Sequence, residues 1–213
     1  MTTFEGRLTS RLLQDVENLL DYIESTPSIR ALITTGKGRF FSNGLDLDAI
    51  RKGTETPAEE SLHSLQGIMR RLLYLPIITI AAINGHAYGG GLLFALAHDY
   101  RICRKDRGWL CVPAAAIGIT LPPFIVKIIR TKLPDLTTAR DVLLLSAKYT
   151  GPQAFEKGIV DSVQPLPELL PHCIALAKHI SSSTNQVALG NIKRSLIEAS
   201  LMLEDDSSIR SRL

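Results

Sequence analysis

The chain has 213 residues, 45% of them hydrophobic and 21% charged, with a formal net charge of +3 at pH 7. That length suffices for one domain with a sizeable core, and so small a charge, carried on scattered basic residues, argues against nucleic acid as a partner. No apolar run reaches the length of a membrane span and no signal-peptide pattern opens the chain, while Cys103, Cys111 and Cys173 sit at no metal-ligand spacing and read as buried thiols of a reducing compartment.

Leu12, Leu13, Val16, Leu19, Leu20 and Ile23 recur at helical spacing, after Thr9-Ser10 as caps and before Pro27 as a stop. The spacing predicts an amphipathic helix whose apolar stripe needs a sheet to lie on. Ile29–Thr35 reads as a strand, Gly36–Gly38 as a turn and Phe40-Phe41 as a short extended piece. In Ser42-Asn-Gly-Leu-Asp-Leu47, Asp46 is placed to cap a short helix ending about Lys52. Thr56-Pro-Ala-Glu59 has the pattern of a capping box with Pro at the first helical position. It opens a helix running through Leu62, Leu65, Ile68, Met69, Leu72 and Leu73 to Leu75-Pro76.

Ile77–Asp99 organises the rest. Ile77–Ile83 is a run of β-branched and small apolar residues, the composition of a strand buried on both faces. Gly89-Gly90-Gly91 then leads into Leu92–Ala97, which suits a buried helix. A strand, a glycine turn and a helix N-terminus leave unpaired backbone N–H groups at the positive end of a dipole, ready for a negative oxygen. A tight, closely packed connection uses the same triplet. The spacing fits neither a dinucleotide fingerprint nor a phosphate loop.

Tyr100–Cys103 and Trp109–Val112 read as two short strands around a charged turn, so strand and helix alternate as in an α/β unit with a mostly parallel sheet. Beyond Pro122 the pattern is helical: Phe124–Lys132, Thr137–Ser146, a short helix opened by the capping box Thr150-Gly-Pro-Gln153 and closed by Gly158, then Leu166–Ser181 and Gln186–Leu203. Val160–Val163 is a possible returning strand. The expected division is an α/β core over 1–121 and a mainly helical region over 122–213. His63, His172 and His179 lie on helices without partners and read as surface or packing residues.

Three segments resemble the crotonase superfamily, the enoyl-CoA hydratase/isomerase family. Phe40-Phe-Ser-Asn-Gly-Leu-Asp-Leu47 is similar to its F-x-x-G-x-D-[LI] turn, Asn84-Gly-His-Ala-Tyr-Gly-Gly-Gly91 to its N-G-x-A-x-G-G-G segment, and Thr150–Asp161 to its T-x-x-x-A-x-x-x-G-[IL]-V-D stretch. The resemblance spans roughly residues 8 to 205. It implies a spiral of ββα turns, an acyl-CoA thioester as ligand, no cofactor or metal besides, and an oxyanion hole from two backbone N–H groups. By position those groups belong to Leu45 and Gly90, with Asn43, Asp46, Leu47 and Gly89 beside the substrate. Each such donor is worth roughly 3 kcal/mol at an enolate-like transition state. Glycine at 90 is expected to let the thioester approach the backbone closely.

Two departures shape the expectation. The family's acid/base carboxylate positions hold Leu93 and Ala114 here, and a methyl group moves no proton. Asp46, His86 and Tyr88 are the replacement candidates on the two turns, with helix capping and loop packing as their alternatives. The second departure is Met1–Leu8, too short for the strand pair with which the family begins. The readings are an enoyl-CoA isomerase or hydratase with an unusual base, an acyl-CoA-binding pseudoenzyme, or another crotonase-type reaction such as thioester hydrolysis. The resemblance also implies homotrimers or hexamers, for which Val187, Leu189, Ile192, Leu196 and Ile197 offer an apolar face. Finally Ser211-Arg212-Leu213 is a conservative relative of the Ser-Lys-Leu tail read by a peroxisomal import receptor.

Overall fold

A computed structural model describes residues 5–202. Strand β1 (Arg7–Leu8) precedes helix α1 (Ser10–Glu24), which Thr9 caps by accepting from the Leu12 N–H at 3.2 Å. Three ββα turns follow. The first is β2 (Ala31–Thr35), β3 (Phe40–Ser42) with β4 (Gly44–Leu45), α2 (Leu47–Arg51) and α3 (Ala58–Tyr74). The second is β5 (Ile78–Ile83), β6 (His86–Tyr88) and α4 (Gly90–Leu96). The third is β7 (Tyr100–Arg104), β8 (Leu110–Cys111), a 3-10 turn at Ala115–Ile117 and α5 (Pro123–Lys132). Then come α6 (Leu136–Leu143), α7 (Gly151–Glu156), β9 (Ser162–Gln164), α8 (Leu166–Ser183) and α9 (Gln186–Met202).

Each turn places its first strand in one parallel sheet, β2-β5-β7-β9, and its second in another, β3-β6-β8. This is the expected spiral. The two strands around the charged turn therefore part company, because Lys105–Gly108 carries the chain from one sheet to the other. Every residue of β5 is buried. Ile78, Ile80 and Ala82 face Leu169, Cys173 and Ala177 of α8, while Ala81 and Ile83 join the larger core with Leu65, Leu72, Leu92 and Leu96. A run without polar alternation is what such a two-sided strand requires.

Local signals held where nothing competed for them. Thr150 and Gln153 form both bonds of a capping box, at 3.4 and 2.9 Å. The box expected at Thr56–Glu59 is absent: Pro57 takes the cap position of α3, and Thr56 Oγ1 instead lies 2.8 Å from both Ser61 Oγ and Ser10 Oγ. Glu55 is the carboxylate tied down here, accepting from the Ser10 hydroxyl at 2.5 Å and the Ser10 N–H at 2.9 Å, and these bonds, the hydroxyl's first, hold its pKa below the usual range. Helix α6 begins one residue before Thr137, capped by Asp135. The residues proposed as one face of α9 divide: Ile197 is buried and Leu189 packs on the core, whereas Val187, Ile192 and Leu196 face outward.

His63 and His179 are exposed and His172 lies 3.4 Å from Gln164, but the completely buried histidine is His98, which the sequence did not single out. Its Nδ1–H donates to Phe94 O at 2.9 Å and its Nε2 accepts from Thr34 Oγ1 at 2.8 Å, the arrangement of a neutral ring. Beside it Asp99 accepts from Thr79 and, at 2.7 Å, from Lys193 of α9. Arg101 donates to Ile159 O and His98 O and pairs with Asp161 at 2.9 Å. Burial pushes the imidazole pKa down to about 4. Between about pH 6.5 and 4 the unfolded chain therefore binds a proton that the folded chain excludes, so stability is lost as the pH drops from 6.5 towards 4. Urea unfolding should show that loss, and it should shrink in His98→Asn. Thr34→Val, which leaves Nε2 without a donor, should cost about 1–3 kcal/mol at pH 7.

Candidate active site

Two turns meet edge to edge. Gly44 has φ +72°, and a Cβ there would lie 2.7 Å from Tyr88 O and 2.9 Å from Gly90 N, so the turn before β4 presses backbone against backbone on the turn before α4. At Gly91 a Cβ would stand 2.3 Å from Ser42 O. Ser42 Oγ donates to Gly6 O at 2.6 Å and accepts from the Gly44 N–H, while Asn43 is held by its N–H to Glu5 O and its Nδ2 to Glu5 Oε2. The Gly89 N–H donates to Cys111 O, and Gly90, as the first residue of α4, has no acceptor for its N–H within the helix.

These turns open on a cleft of about 710 Å³. Asn43, Leu45 and Leu47 line it from one turn, Tyr88, Gly89, Gly90 and Leu93 from the other. Val112, Ala114, Ile117, Ile119 and Leu121 supply the far wall, and Ala58, Glu59 and Leu62 of α3 close a side. Leu93 and Ala114, the family's carboxylate positions, both reach the cleft and both make it apolar.

The structure places the three replacement candidates differently. Asp46 does not line the cleft; it caps α2 by accepting from the Ala49 N–H at 3.1 Å and sits 3.7 Å from Arg7. His86 lies in a separate depression with Arg39 and Arg107, where burial first and those two cations next lower its pKa. Tyr88 alone of the three lines the cleft, its pKa raised by burial and then by Cys111. Gly90 is tightly packed as well as lining the cleft, since a Cβ there would meet Leu65 and Leu8 at 3.1 Å each; at Gly89 it would meet nothing closer than Pro113 at 4.0 Å. The sequence reading missed Arg7 and Glu59, which also line the cleft. Glu59 is its one carboxylate among the described residues, freed by the missing capping box.

A succession of ββα turns on two parallel sheets, with paired backbone turns at the mouth of an apolar cleft, defines a crotonase-type fold. The enoyl-CoA hydratase/isomerase family model matches residues 5–206, and the chain belongs to that family. Among its relatives is the peroxisomal enoyl-CoA delta isomerase 2 of Arabidopsis thaliana, 44% identical over 62% of this chain and 57% of the relative. The peroxisomal enoyl-CoA delta isomerase 1 of the same plant is 38% identical over 74% of this chain and 66% of the relative. The match thus spans under two thirds of either relative's length. The fold is also that of an enoyl-CoA isomerase from Mycobacterium tuberculosis, with a TM-score of 0.84 at 23% identity over 94% of this chain and 85% of that one.

The junction of the two turns makes a sharp comparison available. Gly53 has φ +70° with nothing within 4 Å of its Cβ site, so Gly53→Ala should cost only the backbone strain, about 1–2 kcal/mol. Gly44→Ala bears the same strain and drives Cβ into Tyr88 O and Gly90 N. Chemical denaturation should find it distinctly less stable than Gly53→Ala.

Proposed function

We propose that the cleft binds an acyl-CoA thioester whose carbonyl oxygen sits between the N–H groups of Leu45 and Gly90. The observation that supports this reading is the backbone contact of Gly44 with Gly90 beside an apolar cleft that Leu45 and Gly90 both line. Removing a proton next to a thioester builds charge on the carbonyl oxygen, and two fixed donors stabilise it without reorganising. The reaction proposed is enoyl-CoA isomerase-type proton transfer in fatty-acid β-oxidation, supported by the delta isomerases among the relatives. With Leu93 and Ala114 in the carboxylate positions, Glu59 and Tyr88 are the cleft groups left to move the proton.

Those same apolar positions favour a second reading, an acyl-CoA-binding pseudoenzyme. Incubation with 3-enoyl-CoA and 2-enoyl-CoA of several lengths, followed by the conjugated thioester's absorbance, separates the two. Turnover that Glu59→Gln lowers by about 10²–10⁴-fold supports the enzyme and its base. Calorimetric binding without turnover supports the pseudoenzyme, and binding to neither thioester overturns both. In the pseudoenzyme case Ala114→Glu should create isomerase activity, because the donors are already in place.

We further propose peroxisomal import through Ser211, Arg212 and Leu213, which lie outside the described residues, and assembly into trimers or hexamers. Two relatives named as peroxisomal support the address. A fluorescent protein fused to the N-terminus should reach peroxisomes, and deleting Ser211–Leu213 should return it to the cytosol. Equal distribution of the two fusions would refute the tail as the address.

A further inference from the structure

The segment ahead of α1 lies against the turn that carries Leu45. β1 pairs in parallel with β4, Arg7 opposite Gly44 and Leu8 opposite Leu45. One carboxylate oxygen, Glu5 Oε2, accepts from Asn43 Nδ2 and from Arg7 Nε at 2.9 Å each, and Arg7 Nη2 lies 2.9 Å from the same oxygen. The Glu5 backbone carbonyl accepts from the Asn43 N–H at 3.0 Å. The remaining guanidinium nitrogen, Arg7 Nη1, is 3.7 Å from Asp46 Oδ1, the oxygen that caps α2.

Arg7 lines the cleft, but its fork is divided between Glu5 and Asp46, so the guanidinium is held as a strut rather than offered to a ligand. Glu5 does not line the cleft. Its carboxylate nevertheless reaches Asn43 directly and Asp46 through Arg7, the residues on either side of Gly44–Leu45. Charge-assisted bonds of this kind are shorter and stronger than neutral ones. A backbone N–H has no rotor of its own; it points where its planar peptide points, and here the flanking residues set that direction. Gly90 is fixed by apolar packing, Leu45 by this ionic clip.

We propose that Glu5 is a positioning residue: through Asn43 and Arg7 its carboxylate aims the Leu45 N–H at the point that the Gly90 N–H also addresses. That role rests on the reading of the cleft as a thioester site. Fixed donors stabilise a growing charge because they need not move as it builds, and a displacement of about 0.5 Å is enough to spoil such a site.

Infrared difference spectroscopy reads the carbonyl directly. The probe is octanoyl-CoA, saturated and therefore inert to isomerisation, with carbon-13 at the thioester carbonyl. Hydrogen bonds to the oxygen weaken the C=O bond, so binding to the wild-type protein should move the stretch to lower frequency. Glu5→Gln keeps the side chain's shape and removes its charge. It should lose most of that shift while calorimetric affinity falls by less than about tenfold, because the apolar cleft still holds the acyl chain. Arg7→Lys keeps the cation without the fork and should lose part of the shift; it decides the matter if circular dichroism finds Glu5→Gln unfolded. A shift that the folded variants leave intact overturns the positioning role alone. Abolished binding in a folded Glu5→Gln protein also overturns it, since Glu5 would then govern the whole cleft rather than one donor. Wild-type protein that binds the probe without a shift, or does not bind it, overturns the carbonyl site and the role of Glu5 with it.

Discussion

The close approach of two backbones governs this molecule. Gly44 lies against Tyr88 O and Gly90 N, and Gly91 against Ser42 O, at distances that admit no side chain. Such contacts fix position without a rotamer to relax. They align the start of β4 with the start of α4, the two turns that line the cleft. Leu8 and Leu65 pack on Gly90 from behind, so β1 and α3 are braced against the seam as well.

The other end of α4 is secured by different chemistry. His98, Asp99 and Arg101 follow the helix directly, and their bonds reach β2 through Thr34, the start of β9 through Asp161 and α9 through Lys193. A buried polar network of this kind is costly if any member loses its partner, so it specifies one arrangement of these elements. The short helix is thus gripped by packing at its N-terminus and by hydrogen bonds at its C-terminus. Thr150–Asp161 also finds its purpose here: the capping box starts α7, and Asp161 at the far end meets the buried Arg101 guanidinium.

Much of this was legible in the sequence where the signal is local. The unbroken apolar run of Ile77–Ile83 announces a strand covered on both sides, and Thr9 and Thr150 cap helices as their neighbours imply. The failures are tertiary. Thr56 has the residues of a capping box but meets Ser10 and Ser61, which come from contacts between α1 and the start of α3. Burial of His98 depends on Thr34 across the sheet. Glu59 faces the cleft because of how α3 packs, and no spacing within Thr56–Glu59 reveals which way that first turn points. The packing of Leu8 and Leu65 on Gly90 was not legible, because both come from far away along the chain.

The sheet topology carries a consequence for how the chain acquires its shape. In the larger sheet Ala31 pairs with Ile78, Ile80 with Tyr100 and Ile102 with Ser162, and every one of these ladders is parallel. Parallel neighbours are joined only through crossovers, so each ladder closes a long loop before it gains a contact, and folding is slow compared with a helical bundle. During synthesis β5 and β7 emerge well before Ser162–Gln164. Until those three residues arrive, the outer edge of β7, carrying Ile102 and Cys103, is an open template for another chain. The shortest strand of that sheet is its seal.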